Sequence, residues 1–309
     1  MKKKLTLITI ALLFAFFSCK GEKTSIKLGI LPVIDTLPLI VADSDGLFKE
    51  EGIDVDLVVF NSALEKEAAL TSGNLDGAFG DLIAALLQIK NGNNIKIATE
   101  SYHTSEKSRM FALLASPSSG ISSIKKTGDA EVAISMGSII EFFLDRMMIA
   151  SGMKPSAIKR IEVKAIPVRM QMLMSNSLQM ALLPEPLASK AVKEGAKLLA
   201  DDRNLNTTAT VIIFKESFLS ENSEAMKKFI RAYNRSVDRI NKNPDVYKEL
   251  MMAKIRFPKD LKDTYKIPSY NSVRLPSEKD VMLVYDWMKS KGMIKAPVEY
   301  QNITWSLQK

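Results

Sequence analysis

Cysteine and histidine are almost missing from this chain: Cys19 and His103 are its only examples in 309 residues. A disulfide framework needs cysteine pairs, and a Cys/His zinc site needs a full set of such ligands, so both are excluded. A Cys–His or Ser–His nucleophile would have to use His103, for which no acid or nucleophile partner stands out in the sequence. There is no phosphate-binding loop and no low-complexity segment. The one long apolar run, Leu5 to Phe17, is too short to span a bilayer comfortably.

What is present is an ordinary apolar content, with 46% hydrophobic residues, enough to build a sizeable core. The length suits two domains. Formal net charge is +8. Lys2, Lys3 and Lys4 precede the apolar run, and together with Ser18–Cys19 they read as a secretory signal that would be cut away: basic start, short apolar middle, small residue at the cut. Without those lysines the charge is +5. Ile26–Arg109 is acidic and the C-terminal third is basic. Lys and Glu alternate there on helix-like faces, so a solvated surface is expected rather than a nucleic-acid patch.

Ile26–Phe60, IKLGILPVIDTLPLIVADSDGLFKEEGIDVDLVVF, organises the rest. Ile26–Leu31 reads as a strand, Leu37–Ala42 as a helix and Val55–Phe60 as a second strand. That is a βαβ unit, whose parallel strands require a crossover. Ligands of such units sit beyond the carboxyl ends of the strands, where Asp35 and Thr36 stand. The alternation continues. Asn61 or Ser62 can cap a helix, with Ser62 and Glu65 in capping-box spacing. Leu75–Phe79 reads as a strand, followed by Gly80–Asp81 and a helix. Ile95–Thr99 is the next strand, and Ser101, Tyr102 and His103 are expected to leave it.

Further along, Val132–Ser135 reads as a strand and Ser138 with Glu141 as a second capping box. The helix start at Met136–Ser138 would offer free N–H groups to an anion. Ile161–Ala165 is another strand, and Pro167 opens a helix carrying Arg169. Met170, Leu173 and Met174 fall at core spacing. Met180–Leu183 is a strand ending in Pro184-Glu185-Pro186, a stiffened loop. The remainder is mainly helical, over 222–241, 244–254 and 276–291. Trp287 lies on an apolar face, where packing is expected.

Asp35, Asn61, Asp81, Gly137, Arg169 and Glu185 each follow an expected strand, and two facing α/β lobes would bring those ends to one cleft. Several have a plainer reading beside the functional one. Asp81 serves equally as a helix cap, Ser138 likewise, and Arg169 could lie on the surface. Tyr102 could stack on a ligand or bond to it. His103 could contact ligand or be a satisfied or surface histidine.

The stretches GLFKEEGIDV (46–55), LTSGNLDGAFGD (70–81) and ALLPEPLA (181–188) resemble the periplasmic substrate-binding proteins of ABC importers, in the branch assigned to nitrate, sulfonate, taurine and thiamine-pyrimidine precursors. The likeness runs from about Ile26 to the C-terminus. It implies a type II periplasmic-binding-protein-like α/β fold with two lobes, each a mostly parallel sheet flanked by helices. The expected division is a signal peptide over 1–19, a tether over 20–25, lobe 1 from 26–110 with 207–309, and lobe 2 from 111–206. Met110–Ala115 would be the strand crossing between lobes, with the return near Val211–Phe214. The leader resembles a bacterial lipoprotein signal, which would make Cys19 the lipidated first residue and the location extracytoplasmic.

The resemblance implies a receptor, not an enzyme. Its partners would be a small solute, an ABC permease with its ATPase, and the membrane through the anchor. Neither cofactor nor nucleic acid is expected, and a monomer is. A same-fold enzyme and an extracytoplasmic sensor are the alternatives. Three carboxylates, Asp35, Asp81 and Glu185, favour a nitrogen heterocycle of the thiamine-precursor or vitamin type. A sulfonate, nitrate or taurine-like anion would need more basic donors than Arg169 and helix starts provide.

Overall fold

The computed structural model describes residues 24–307. Cys19 and the leader therefore lie outside the described residues. Ten strands form two sheets: β1 (Ser25–Ile30), β2 (Asp54–Val59), β3 (Gly77–Asp81), β4 (Ile95–His103), β5 (Phe111–Ala115), β6 (Glu131–Ile134), β7 (Lys159–Glu162), β8 (Met180–Pro184), β9 (Lys197–Asp201) and β10 (Thr208–Lys215).

The first sheet has the order β2-β1-β3-β10-β4 and the second β7-β6-β8-β5-β9. In each, three parallel strands are joined by an antiparallel fourth. β1 runs parallel to β2 and β3, while β10 is antiparallel to β3 and β4. β6 runs parallel to β7 and β8, while β5 is antiparallel to β8 and β9. The parallel parts carry helices on their faces, as their crossovers require. The second sheet is covered on one face by helix Ile139–Ala150 and on the other by helices Ile166–Met174 and Leu187–Lys193, and the side chains of β5, β6 and β8 divide between two apolar clusters accordingly.

The antiparallel strands reveal the chain path. It leaves the first sheet after His103, enters the second at Phe111, leaves that at Asp201 and returns at Thr208. The two connecting segments are tied to each other. Thr104 N donates to Thr207 O at 3.0 Å, and Thr207 N to Thr104 Oγ1 at 2.9 Å. Met110 N donates to Asp202 Oδ1 at 2.9 Å. Asp202 is fully buried, and that burial pushes its carboxyl up to about 7 against the pull of the Met110 and Phe111 amides.

Some elements differ from expectation. Ser25 begins β1, and Thr24 O accepts from Asp54 N at 3.2 Å, so the expected tether is shorter at its end. β4 continues through Tyr102 to His103 because β10 pairs with it as far as Thr208. The crossing segment precedes Phe111–Ala115, which is a fully buried strand between β8 and β9. β9 is an edge strand whose half-exposed KLLAD run carries little apolar signal. Ser62, Asp81 and Ser138 cap helices as expected, each accepting a first-turn N–H, and Ser277 does the same for helix Glu278–Ser290.

Candidate functional site

The strand ends of both sheets carry polar residues, but most of these are engaged within the protein. Asp35 follows β1 and is 4% exposed. Its Oδ2 accepts from Thr210 Oγ1 at 2.8 Å, and its backbone carbonyl accepts from Ser101 Oγ at 2.9 Å. Burial pushes the Asp35 carboxyl up to about 7, only partly offset by the Thr210 bond. Thr36 is fully buried, its hydroxyl bonded to the carbonyls of Leu31 and Val33. Tyr102 is also buried, within β4, and its hydroxyl meets Ser108 Oγ at 2.8 Å.

Asp81 caps helix Leu82–Lys90, with Oδ1 accepting from Ala84 N at 2.8 Å. Burial raises its pKa, while that bond and the nearby Lys66 ammonium oppose the rise. Lys66 is itself buried beneath β3, donates to Phe79 O, and is held below its usual range by that burial. Asn61 is exposed and accepts from Arg256.

In the second lobe, the helix start at Gly137–Ser138 is already filled by the chain's own carboxylates. Gly137 N donates to Glu141 Oε2 at 2.7 Å and Met136 N to Glu162 Oε2 at 3.2 Å. Ser138 Oγ accepts from Ile140 N. Arg169 is turned inward rather than lying on the surface. It is 0% exposed, and its guanidinium donates to Val163 O, Leu182 O and Ser135 Oγ. The carbonyls of Val163, just after β7, and of Leu182, within β8, thereby gain a donor.

Glu185 is different. It is buried at the end of β8, and its Oε1 accepts from Arg109 Nε at 2.6 Å while Oε2 accepts from Ser189 N at 3.2 Å. It borders a cavity of about 420 Å³. The other walls come from the first crossover (Lys107, Ser108, Arg109), helix Leu187–Lys193 (Ser189, Val192, Lys193), Arg203, and the segment Leu261–Pro268 with Tyr265 and Lys266. Five cations and one carboxylate therefore surround this space. The Tyr265 ring packs edge-on against Phe257 at 4.9 Å, and burial holds its hydroxyl well above the usual range, hence protonated. Tyr270 anchors the same segment to the end of β1, donating to Ile34 O at 2.7 Å. On the far side, Lys190 and Lys193 reach across to Asp260.

Of the residues expected from sequence, only Glu185 borders this cavity. Arg109, Lys107, Lys193, Tyr265 and Lys266 were not singled out. The position of Arg109 at the first crossover was the one available signal. The segment 255–270 has no periodic pattern that would place it.

His103 lies on the other side of β4. It contacts Thr208, Asn206 and Glu100, the last at 3.3 Å. The Glu100 contact raises its pKa. Burial alone would raise the Glu100 carboxyl, but bonds from His103 and Arg274 outweigh it and hold it low. His103, Glu100, Asn206 and Asp280 border a second, larger cavity of about 910 Å³, which shares Lys107 and Arg203 with the first. Among the described residues no cluster of three His, Cys, Asp or Glu could hold a metal ion.

Two mixed five-stranded sheets, joined by two crossovers, with polar residues at facing strand ends, constitute the type II periplasmic-binding-protein fold. Solved structures agree. The periplasmic aliphatic sulphonate binding protein SsuA of Escherichia coli superposes with a TM-score of 0.79 at 14% identity, over 91% of this chain and 92% of that one. The alkanesulfonate-binding SsuA of Xanthomonas axonopodis pv. citri, bound to MOPS, gives 0.76 at 15% over 92% and 99%. A Brachyspira hyodysenteriae protein named as an ABC transporter periplasmic binding protein is 22% identical over 264 residues, which is 78% of this chain and 74% of that protein. Residues 34–246 match the family described as NMT1/THI5 like, and the chain belongs to that family.

Proposed function

We propose that the chain is the extracytoplasmic solute-binding component of an ABC importer and that its solute is a small organic anion. The observation that carries the ligand class is the cavity between the lobes, bordered by Lys107, Arg109 and Lys266, and by Arg203 and Lys193 with their charges shared with Asp201 and Asp260, against the one lining carboxylate of Glu185. Cations converging on one concave space raise the local concentration of anions and hold them there. The relatives named for periplasmic binding and for sulfonates support the same reading. A permease with its ATPase would be the partner, the chain a monomer, and Cys19 its lipid anchor. The crossovers at 104–110 and 202–207 would be the hinge about which lobes 26–110 with 207–309 and 111–206 close.

This moves the ligand away from a nitrogen heterocycle. That reading needs free carboxylates, and Asp35 and Asp81 spend theirs on Thr210 and Ala84, while Glu185 faces Arg109. The site also offers no nucleophile–base pair, so binding without chemistry is the reading we adopt. A thermal-shift panel of alkanesulfonates, carboxylates, nitrate, taurine, pyrimidines and thiamine tests it. An anion present at 100-fold over its Kd should add about 2.7 kcal/mol of stability. Shifts confined to pyrimidines or thiamine would overturn the anion class.

A further inference from the structure

We propose that Arg109 is the residue that reads the anion, and that Glu185 holds Arg109 instead of touching the solute; this rests on the receptor reading above. The geometry is specific. Glu185 Oε1 takes the Nε–H of Arg109 at 2.6 Å, and Ser189 Oγ takes an Nη2–H at 3.2 Å. These two bonds occupy one edge of the guanidinium fork. Three of its five N–H donors remain, two on Nη1 and one on Nη2, and no bond among the described residues uses them. Together they form the end-on edge that grips two oxygens of an oxyanion in parallel.

Arg109 is fixed from both directions. The preceding Ser108 bonds Tyr102. The following Met110 N is held by Asp202, and Met110 O accepts from Glu185 N at 2.7 Å. The side chain is 16% exposed and its carboxylate partner 2% exposed. Such a buried pair loses little conformational freedom when an anion arrives, which is the condition for tight and selective binding. Glu185 alone would repel an anion. Paired with Arg109 it sets the direction of the fork while Lys107 and Lys266 supply long-range attraction. The hydroxyl of Tyr265 stays protonated and can donate a further bond, and Leu261, Val192 and Pro268 offer apolar wall to an alkyl or ring portion.

A planar fork on a buried anchor is not replaced by an ammonium. The test is calorimetric titration of the full chain with butyrate, butanesulfonate and butylphosphonate, with cytosine as the neutral probe. Arg109→Lys and Arg109→Gln should each weaken the best anion by about tenfold to a hundredfold, the worth of hydrogen bonds to a charged group. Glu185→Gln should weaken it several-fold, and the Arg109→Lys/Glu185→Gln pair should lose no more than Arg109→Lys alone. A purely structural role for Glu185 would give additive losses instead. Melting curves of each variant check folding, and the two Arg109 variants guard against one failing to fold. Anion binding that survives both substitutions would refute the Arg109 assignment and leave the receptor reading intact. Binding of cytosine alone would refute the assignment and the anion class together, and binding of no probe would count against both as well.

Discussion

Asp35 shows how a single residue at a strand end can hold charge in reserve. Its carboxyl accepts from Thr210, and burial lifts it from 3.8 to about 7. A carboxyl whose folded pKa exceeds its unfolded value binds its proton more tightly when folded. The stability it brings is present below about pH 4 and is lost as the pH rises through about 7. Three pKa units correspond to about 4 kcal/mol at most. Asp35→Asn keeps an acceptor for Thr210 and has no proton to lose. It should match the parent at about pH 3.5, below the unfolded value, and exceed it in urea midpoint at about pH 8, above the folded one. Equal midpoints for the two proteins at both pH values would show that Asp35 ionises freely in the folded state.

At the scale of an element, β3 is held between β1 and β10 by its smallest residue. A Cβ on Gly77 would lie 2.5 Å from Phe214 Cδ1 and 2.6 Å from the carbonyl oxygen of Ile213. Both belong to β10, the paired neighbour, so neither backbone can yield without disturbing the ladder. Gly77→Ala should therefore cost about 1–3 kcal/mol or more by overpacking. Gly92 has φ +85° and open space around it, so Gly92→Ala should lose only about 1–2 kcal/mol from left-handed strain. Chemical denaturation of the two variants separates steric from conformational cost. A milder loss for Gly77→Ala than for Gly92→Ala would contradict this packing of the sheet.

For the whole molecule, the lobes meet beyond the crossovers as well. Helix Glu278–Ser290, carried by the first lobe, lies against helix Ile139–Ala150 of the second. Trp287 Nε1 donates to Asp145 Oδ2 at 2.9 Å, its ring meets Phe142 edge-on at 5.6 Å, and Lys291 reaches Glu141 at 2.5 Å and Asp145 at 3.1 Å. Trp287 thus packs, as its position on an apolar face predicted, but it packs across the lobes. Lys291→Met should leave Glu141 without its cationic partner, while Asp145 keeps Arg160, and loosen that contact. Because Lys291 is 30% exposed, the loss should be modest, about 1 kcal/mol, with a larger radius of gyration in solution scattering. An unchanged radius and melting temperature would show that the contact does not hold the lobes together.

The sequence by itself determined the local features. Apolar runs and Gly/Pro punctuation marked the βα alternation, and Ser62, Asp81 and Ser138 marked helix starts, because capping depends on residues only a few positions apart. It also placed Glu185 in a stiff loop after a strand. Tertiary structure decided the rest, since the deciding partners are remote in sequence. Thr210 meets Asp35 across 175 positions. Arg169 is drawn inside by the carbonyls of Val163 and Leu182, and no local pattern distinguishes such an arginine from one facing a cleft. Arg109, Lys193 and Lys266 converge only after two crossovers and the C-terminal segment have been folded over the strand ends. Charge in a cleft is a sum over distant segments, which no single motif in the sequence reports.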